Sequence, residues 1–246
     1  MKELSSSYGR VFIGSRDDCF ATAVFLAGAQ RGRNPTAKVF TWALTGGESP
    51  KDWYRWCVQS DALSPGLVAS THWFSSDERM VPLAGADSNF GNADRGLLVP
   101  LGIPAERKHP WPVELPPAEA AAEFARRTEP LLGRGKGFDL CFLGLGDNTH
   151  TASFFPGSPL LAEPPAELFA AVDTPKGWRL TITPAGLAGC GLIVVMVLGA
   201  AKAEAFHRVL SGPYDPINVP GQVLRSCSRN VVWLADEGAA ARYLQP

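Results

Sequence analysis

Residues 138–157 read "FDLCFLGLGDNTHTASFFPG". From Phe138 to Gly146 nearly every position is apolar or glycine, without the alternation of a strand that has one wet face. Such a run suits a strand buried on both sides, as in a mostly parallel sheet with helices on each face. The character then changes abruptly to Asp147, Asn148, Thr149 and His150. In open α/β sheets, ligands sit outside the carboxyl ends of the strands. A carboxylate, an amide and an imidazole placed there are candidates for chemistry. Of the three, His150 is the natural general base, because imidazole titrates near neutral pH.

Working outward, similar runs predict strands at 10–14, 38–47, 67–77, 168–174, 178–183, 191–199 and 230–236. Helical spacing lies between them. Ser15 is a fitting N-cap for "RDDCFATAVFLAGAQR", whose two early aspartates complement the helix dipole. Pro50 suits the first turn of "PKDWYRWCVQ", and "PPAEAAAEFARRTEPLL" and "AAKAEAFHRVL" are rich in helix formers. Alternating strands and helices imply parallel βαβ units, hence a Rossmann-like α/β fold of three layers, with helices on both faces of a mostly parallel sheet. No repeat or linker divides the chain, so residues 1–246 read as a single domain, with "LLAEPPAEL" (160–168) as a surface loop.

Composition excludes several classes. A net charge of −1 gives no electrostatic case for nucleic acid or an anionic membrane. No apolar run approaches the roughly 18 residues of a membrane span, and "MKELSSSYGRVFIG" lacks a signal-peptide core. Five widely spaced cysteines, with no C-x-x-C pair, read as reduced, packed thiols of a cytoplasmic protein without a metal site. His72 and His207 read as histidines hydrogen-bonded in place, and His109, beside Pro110, as exposed.

Two further strand ends are rich in functional groups. "TGGESP" (45–50) sets two glycines between a strand and a helix, which suits either a phosphate cradle or a tight turn. Glu48 must face away if a phosphate binds there. "SSDERMVP" (75–82) carries Asp77, Glu78 and Arg79, with Ser88 and Asn89 soon after; it is a solvated loop or a pocket edge. Arg179 opens one strand, and Lys202 follows another on the same rim. "GLGDNTHTAS" is not a dinucleotide fingerprint, because Thr149 holds the third glycine position. There is no G-x-S-x-G elbow, Walker loop or H-E-x-x-H motif, which favours direct attack by water over a covalent serine intermediate.

Taken together, these blocks resemble the 6-phosphogluconolactonase family, itself related to glucosamine-6-phosphate deaminases. "TGGESP" resembles its phosphate loop, and "WFSSDERMVPLAGADSNFGNADRGLL" its W-x-x-x-D-E-R-x-V-P…D-S-N block. "FDLCFLGLGDNTHTASFFPGSPLL" is similar to F-D-L-x-x-L-G-x-G-x-D-G-H-T-A-S-L-F-P-G, and "RLTIT" and "VMVLGAAKAEAFHRVLSG" match the closing blocks. The resemblance implies hydrolysis of 6-phosphogluconolactone in the oxidative pentose phosphate pathway, with a sugar phosphate as the small-molecule partner and no cofactor. It places His150 on the catalytic histidine, Asp77 and Arg79 on the active-site block, and Gly46, Gly47 and Ser49 on the phosphate loop. Arg179 and Lys202 fall on basic positions expected to meet the phosphate. The family's Asp-Gly before the histidine is Asn148-Thr149 here. Loss of that aspartate argues against deaminase or isomerase proton transfer and leaves Asn148 a positioning role. It also motivates two alternatives, a lactonase or isomerase of altered specificity and a catalytically weakened sugar-phosphate binder. The sequence leaves the oligomeric state open.

Overall fold

Why the apolar runs join into one sheet follows from their two-sided burial. The computed structural model describes residues 1–245. Its strands are β1 (Lys2–Ser6), β2 (Gly9–Gly14), β3 (Phe40–Leu44), β4 (Thr71–Ser75), β5 (Asp77–Arg79), β6 (Leu140–Gly144), β7 (Phe169–Val172), β8 (Arg179–Ile182), β9 (Leu192–Val197) and β10 (Val231–Asp236). Seven of them form the main sheet, in the order β1-β2-β10-β9-β6-β3-β4. Every pairing in it is parallel except β1 with β2.

Successive strand residues point to opposite faces. In β9 all six are buried, so each face needs its own cover. Ile193, Val195 and Val197 join Leu143 and Trp233 in a core roofed by helix Pro117–Leu132. Leu192, Val194 and Met196 join Trp42 and Phe142 beneath helices Arg16–Gly32 and Glu48–Gln59. Trp42 stacks on Trp73 at 5.1 Å and meets Phe142 edge-on at 5.0 Å. Truncating a buried aromatic of this kind to alanine costs about 3–5 kcal/mol. The expected three layers are present, and Ser15 caps its helix in a reciprocal box with Asp18.

Other expectations need correction. Residues 67–77 are not one strand: Ser64 caps a short helix, Pro65–Ser70, with proline in its first turn, and β4 begins only at Thr71. The runs at 168–174 and 178–183 do not enter the parallel sheet. They become β7 and β8, which pair antiparallel with each other, and β8 pairs antiparallel with β5, in a separate sheet ordered β5-β8-β7. β1 is a polar edge strand, "KELSS", with no apolar run to announce it. In the 160–168 loop, helix Pro159–Ala162 buries Leu160 before the chain emerges.

In the main sheet β9, β6, β3 and β4 are consecutive neighbours. The segments leaving their carboxyl ends therefore lie side by side, and the small sheet brings Asp77, Arg79 and Arg179 to the same rim.

Candidate active site

A cleft of about 250 Å³ opens along that rim, enough for a small-molecule ligand. Thr45, Gly46 and Gly47 line it from the end of β3, Gly144 to Gly146 and His150 from the end of β6, and Lys202 from beyond β9. Asp77, Arg79, Asn89, Lys176 and Arg179 complete its polar wall.

His150 is fixed from three sides. Its ring stacks on Phe155 with centroids 4.6 Å apart, and it lies so close to Gly146 that a Cβ there would sit 1.9 Å from Nδ1. On the third side, Asn148 Oδ1 is 2.5 Å from Nδ1. An amide oxygen can only accept, so it holds the ring proton on Nδ1 and leaves the Nε2 lone pair as the base. Burial, then the charges of Lys176, Lys202 and Arg179, lower the imidazole pKa to about 4, with Asp147 pulling the other way. The ring is therefore neutral at physiological pH.

The turn that presents this ring is strained. Thr149 adopts φ 67°, a conformation natural to glycine, and its buried Oγ1 has no hydrogen-bond partner. A left-handed conformation costs a β-branched residue roughly 1–2 kcal/mol. The turn is held nonetheless: Thr149 N donates to Gly146 O at 2.8 Å, and Gly221 N donates to Thr149 O at 2.9 Å.

The carboxylates of the Asp-Glu-Arg triplet are buried and internally bonded. Glu78 accepts from Arg79 N and Asn89 N through Oε1, and from Ser88 Oγ and Phe90 N through Oε2. Asp77 accepts from Ser153 Oγ at 2.8 Å and from Asn89 Nδ2 at 3.2 Å, joining the small sheet to the His150 loop. Burial raises the Asp77 pKa against the lowering effect of Ser153, Arg179 and Arg79. Arg79 Nη1 donates to Asn89 Oδ1 at 2.8 Å and to the Asp87 carbonyl. Asn89 packs so tightly on Gly46 that any side chain at position 46 would strike its amide.

The cations differ in their company. Lys202 Nζ lies 2.6 Å from Asp147 Oδ1. Arg179 is buried, with Nε unpartnered, and desolvation lowers its pKa. Glu48 turns out to solvent and pairs with Lys51, which removes the conflict with an anion at the glycine loop.

Of the residues singled out from sequence, His150, Asp77, Arg79, Gly46, Gly47, Arg179 and Lys202 converge on the cleft. Ser49 does not line it and stands in the first turn of helix Glu48–Gln59; Asn148 acts on it only through His150. Lys176 and Phe155 were missed, since a lone lysine in a turn and one more phenylalanine carry no pattern. Outside the cleft, His109 is not exposed: it stacks on Phe74, and its Nε2 lies 2.8 Å from His72 Nδ1. His207 Nδ1 is buried without the expected partner. All five cysteines are buried free thiols, and no helix of the described residues is long and apolar enough to cross a membrane.

Known proteins share this arrangement of chain. Residues 20–233 match the family model for glucosamine-6-phosphate isomerases/6-phosphogluconolactonase. The chain is 32% identical over 227 residues to a 6-phosphogluconolactonase of Synechocystis sp., covering 90% of this chain and 89% of that one. The solved 6-phosphogluconolactonase of Trypanosoma brucei superposes with a TM-score of 0.77 at 25% identity, covering 96% and 98% of the two chains. That of Trypanosoma cruzi superposes over the whole of both chains with a TM-score of 0.82, a likeness of fold at 24% identity. The family match spans most of the sequence and the relatives align along nearly all of it, so this chain belongs to the glucosamine-6-phosphate isomerase/6-phosphogluconolactonase family.

Proposed function

We propose that this chain is a 6-phosphogluconolactonase, hydrolysing 6-phosphogluconolactone to 6-phosphogluconate in the oxidative pentose phosphate pathway, with residues 1–246 acting as one catalytic domain. The observation that carries the reading is a neutral imidazole whose Nδ1 is held by an amide, inside a cleft lined by Arg79, Arg179, Lys176 and Lys202. His150 Nε2 takes a proton from water as the oxygen attacks the lactone carbonyl. Arg79 stabilises the tetrahedral oxyanion. Collapse breaks the ring C–O bond, and the proton held on His150 passes to the departing ring oxygen, which leaves as a hydroxyl. Gly46 and Gly47, with Arg179 and Lys202, hold the phosphate, so binding at that remote handle orients the carbonyl. No step calls for a cofactor.

Asn148 supports a lactonase over an isomerase. An isomerase moves protons between carbon and oxygen and needs a carboxylate beside the histidine, whereas ester hydrolysis needs only the base and an oxyanion partner. The test is the rate of 6-phosphogluconolactone disappearance against its spontaneous hydrolysis, for wild type and His150→Ala. The wild type is expected to accelerate the reaction clearly, and the variant to lose about 10²–10⁴ in kcat. Binding of 6-phosphogluconate without acceleration would make the protein a sugar-phosphate binder instead.

A further inference from the structure

The cleft holds two lysines in different states. Lys202 is occupied by Asp147 at 2.6 Å, whereas Lys176 pairs with no carboxylate among the described residues. Lys176 is presented by the turn between β7 and β8. There Lys176 N donates to Thr174 Oγ1 at 3.2 Å, Thr174 Oγ1 donates to Gly177 O at 2.7 Å, and Gly177 takes φ 87°. Three residues on, Arg179 is only 6% exposed, yet its Nε donates to nothing. A buried cation without a full set of acceptors is costly unless an anion completes it. Both residues line the cleft, and both also border the neighbouring groove beside Trp178, so the turn stands at the mouth of the site.

We propose that Lys176 is a further substrate-holding residue, gripping the substrate phosphate together with Arg179, while Asp147 keeps Lys202 occupied. The inference rests on the lactonase reading and assigns its phosphate contact more narrowly. The Lys176 side chain is exposed and makes no hydrogen bond among the described residues, so its removal leaves the fold alone. Removing one charge-assisted hydrogen bond to a ligand corresponds to about 10–100-fold in affinity.

The experiment compares wild type, Lys176→Met and Lys202→Met on 6-phosphogluconolactone and on unphosphorylated gluconolactone. Lys176→Met is expected to raise KM for the phosphorylated lactone about 10–100-fold, the change falling on KM and not on kcat, as for uniform binding. The effect on the unphosphorylated lactone is much smaller, and Lys202→Met raises KM less than Lys176→Met. A second readout separates substrate contact from mere structure. The groups facing His150 are Lys176, Lys202 and Arg179, opposed by Asp147, so losing the Lys176 charge moves the acid limb of kcat/KM to higher pH. An unchanged KM, an equal loss on both lactones, or an acid limb that stays in place would overturn the assignment. Calorimetric titration with 6-phosphogluconate, which needs no turnover, keeps it distinct from the lactonase reading. Binding weakened about 10–100-fold in Lys176→Met supports the grip even if the wild type proves inactive, and equal binding refutes it.

Discussion

Glu78 and Arg179 lie on adjacent strands of the same small sheet, one position apart in register, and both carry buried charge. Their surroundings are opposite. Four donors converge on the Glu78 carboxylate, from its own strand and from Ser88, Asn89 and Phe90. Nothing accepts from Arg179 Nε. A charge satisfied from within shapes the wall of a site, and a charge left open marks where a ligand completes it. The triplet Asp77-Glu78-Arg79 thus divides its labour: Glu78 organises the segment that carries Asn89, while Arg79 lines the cleft.

Removing the open charge tests this contrast hardest. Arg179→Met keeps the volume and takes away a buried, incompletely paired cation. Its KM for 6-phosphogluconolactone is expected to rise about 10–100-fold, while stability to urea changes little, because Asp77, which loses the Arg179 charge, keeps Ser153 Oγ and Asn89 Nδ2 as donors. Loss of stability on that substitution would show that Arg179 serves the scaffold. Glu78→Gln is the converse. One amide oxygen can still serve two donors, but the NH2 group then faces Phe90 N–H, leaving a buried donor unmet. A stability loss of about 1–3 kcal/mol is expected by urea titration. A Glu78→Gln protein as stable as wild type would contradict the four-bond role of that carboxylate.

The smallest effect is an absence of change near neutrality. With the His150 pKa lowered to about 4, the imidazole is the free base above that value and protonated below it. The kcat/KM profile should therefore be level from pH 8 to about 5 and fall as the ring protonates. A midpoint near the ordinary histidine value, about 6.5, would mean that the surrounding cations do not act on the ring as described.

Much of this was legible in the chain, for physical reasons. β3, β6, β9 and β10 are near-continuous apolar runs, broken only by Thr41 in β3 and by Asp236 at the end of β10, because both their faces are covered, and that pattern is hard to mistake. The helix Pro65–Ser70 was hidden because its apolar residues run straight into β4, although Ser64 and Pro65 marked its start. Periodicity identifies a strand but not its partner, so the antiparallel sheet of β5, β8 and β7 could not be foreseen. The site residues were readable where they sit at strand ends, as His150 and Gly46 do. Side-chain direction was not: that Glu48 turns outward and that Asp147 reaches Lys202 are facts of three dimensions.

The same holds for Asn148, on which the lactonase reading turns. The charge one residue earlier, on Asp147, does not replace the aspartate expected at position 148, because it points to Lys202 and not to the ring. Asn148 meets Nδ1 as a neutral acceptor and needs no charge to set the tautomer. The decisive quantity is kcat/KM for 6-phosphogluconolactone in wild type and Asn148→Asp, against spontaneous hydrolysis, across pH. An active wild type is expected, with the variant within about tenfold of it at neutral pH, roughly 1.4 kcal/mol in the barrier. A carboxylate at Nδ1 stabilises the imidazolium, so the acid limb of the variant should move upward from about 4. A wild type at the spontaneous rate, brought to life by Asn148→Asp, would contradict a neutral acceptor sufficing for lactone hydrolysis.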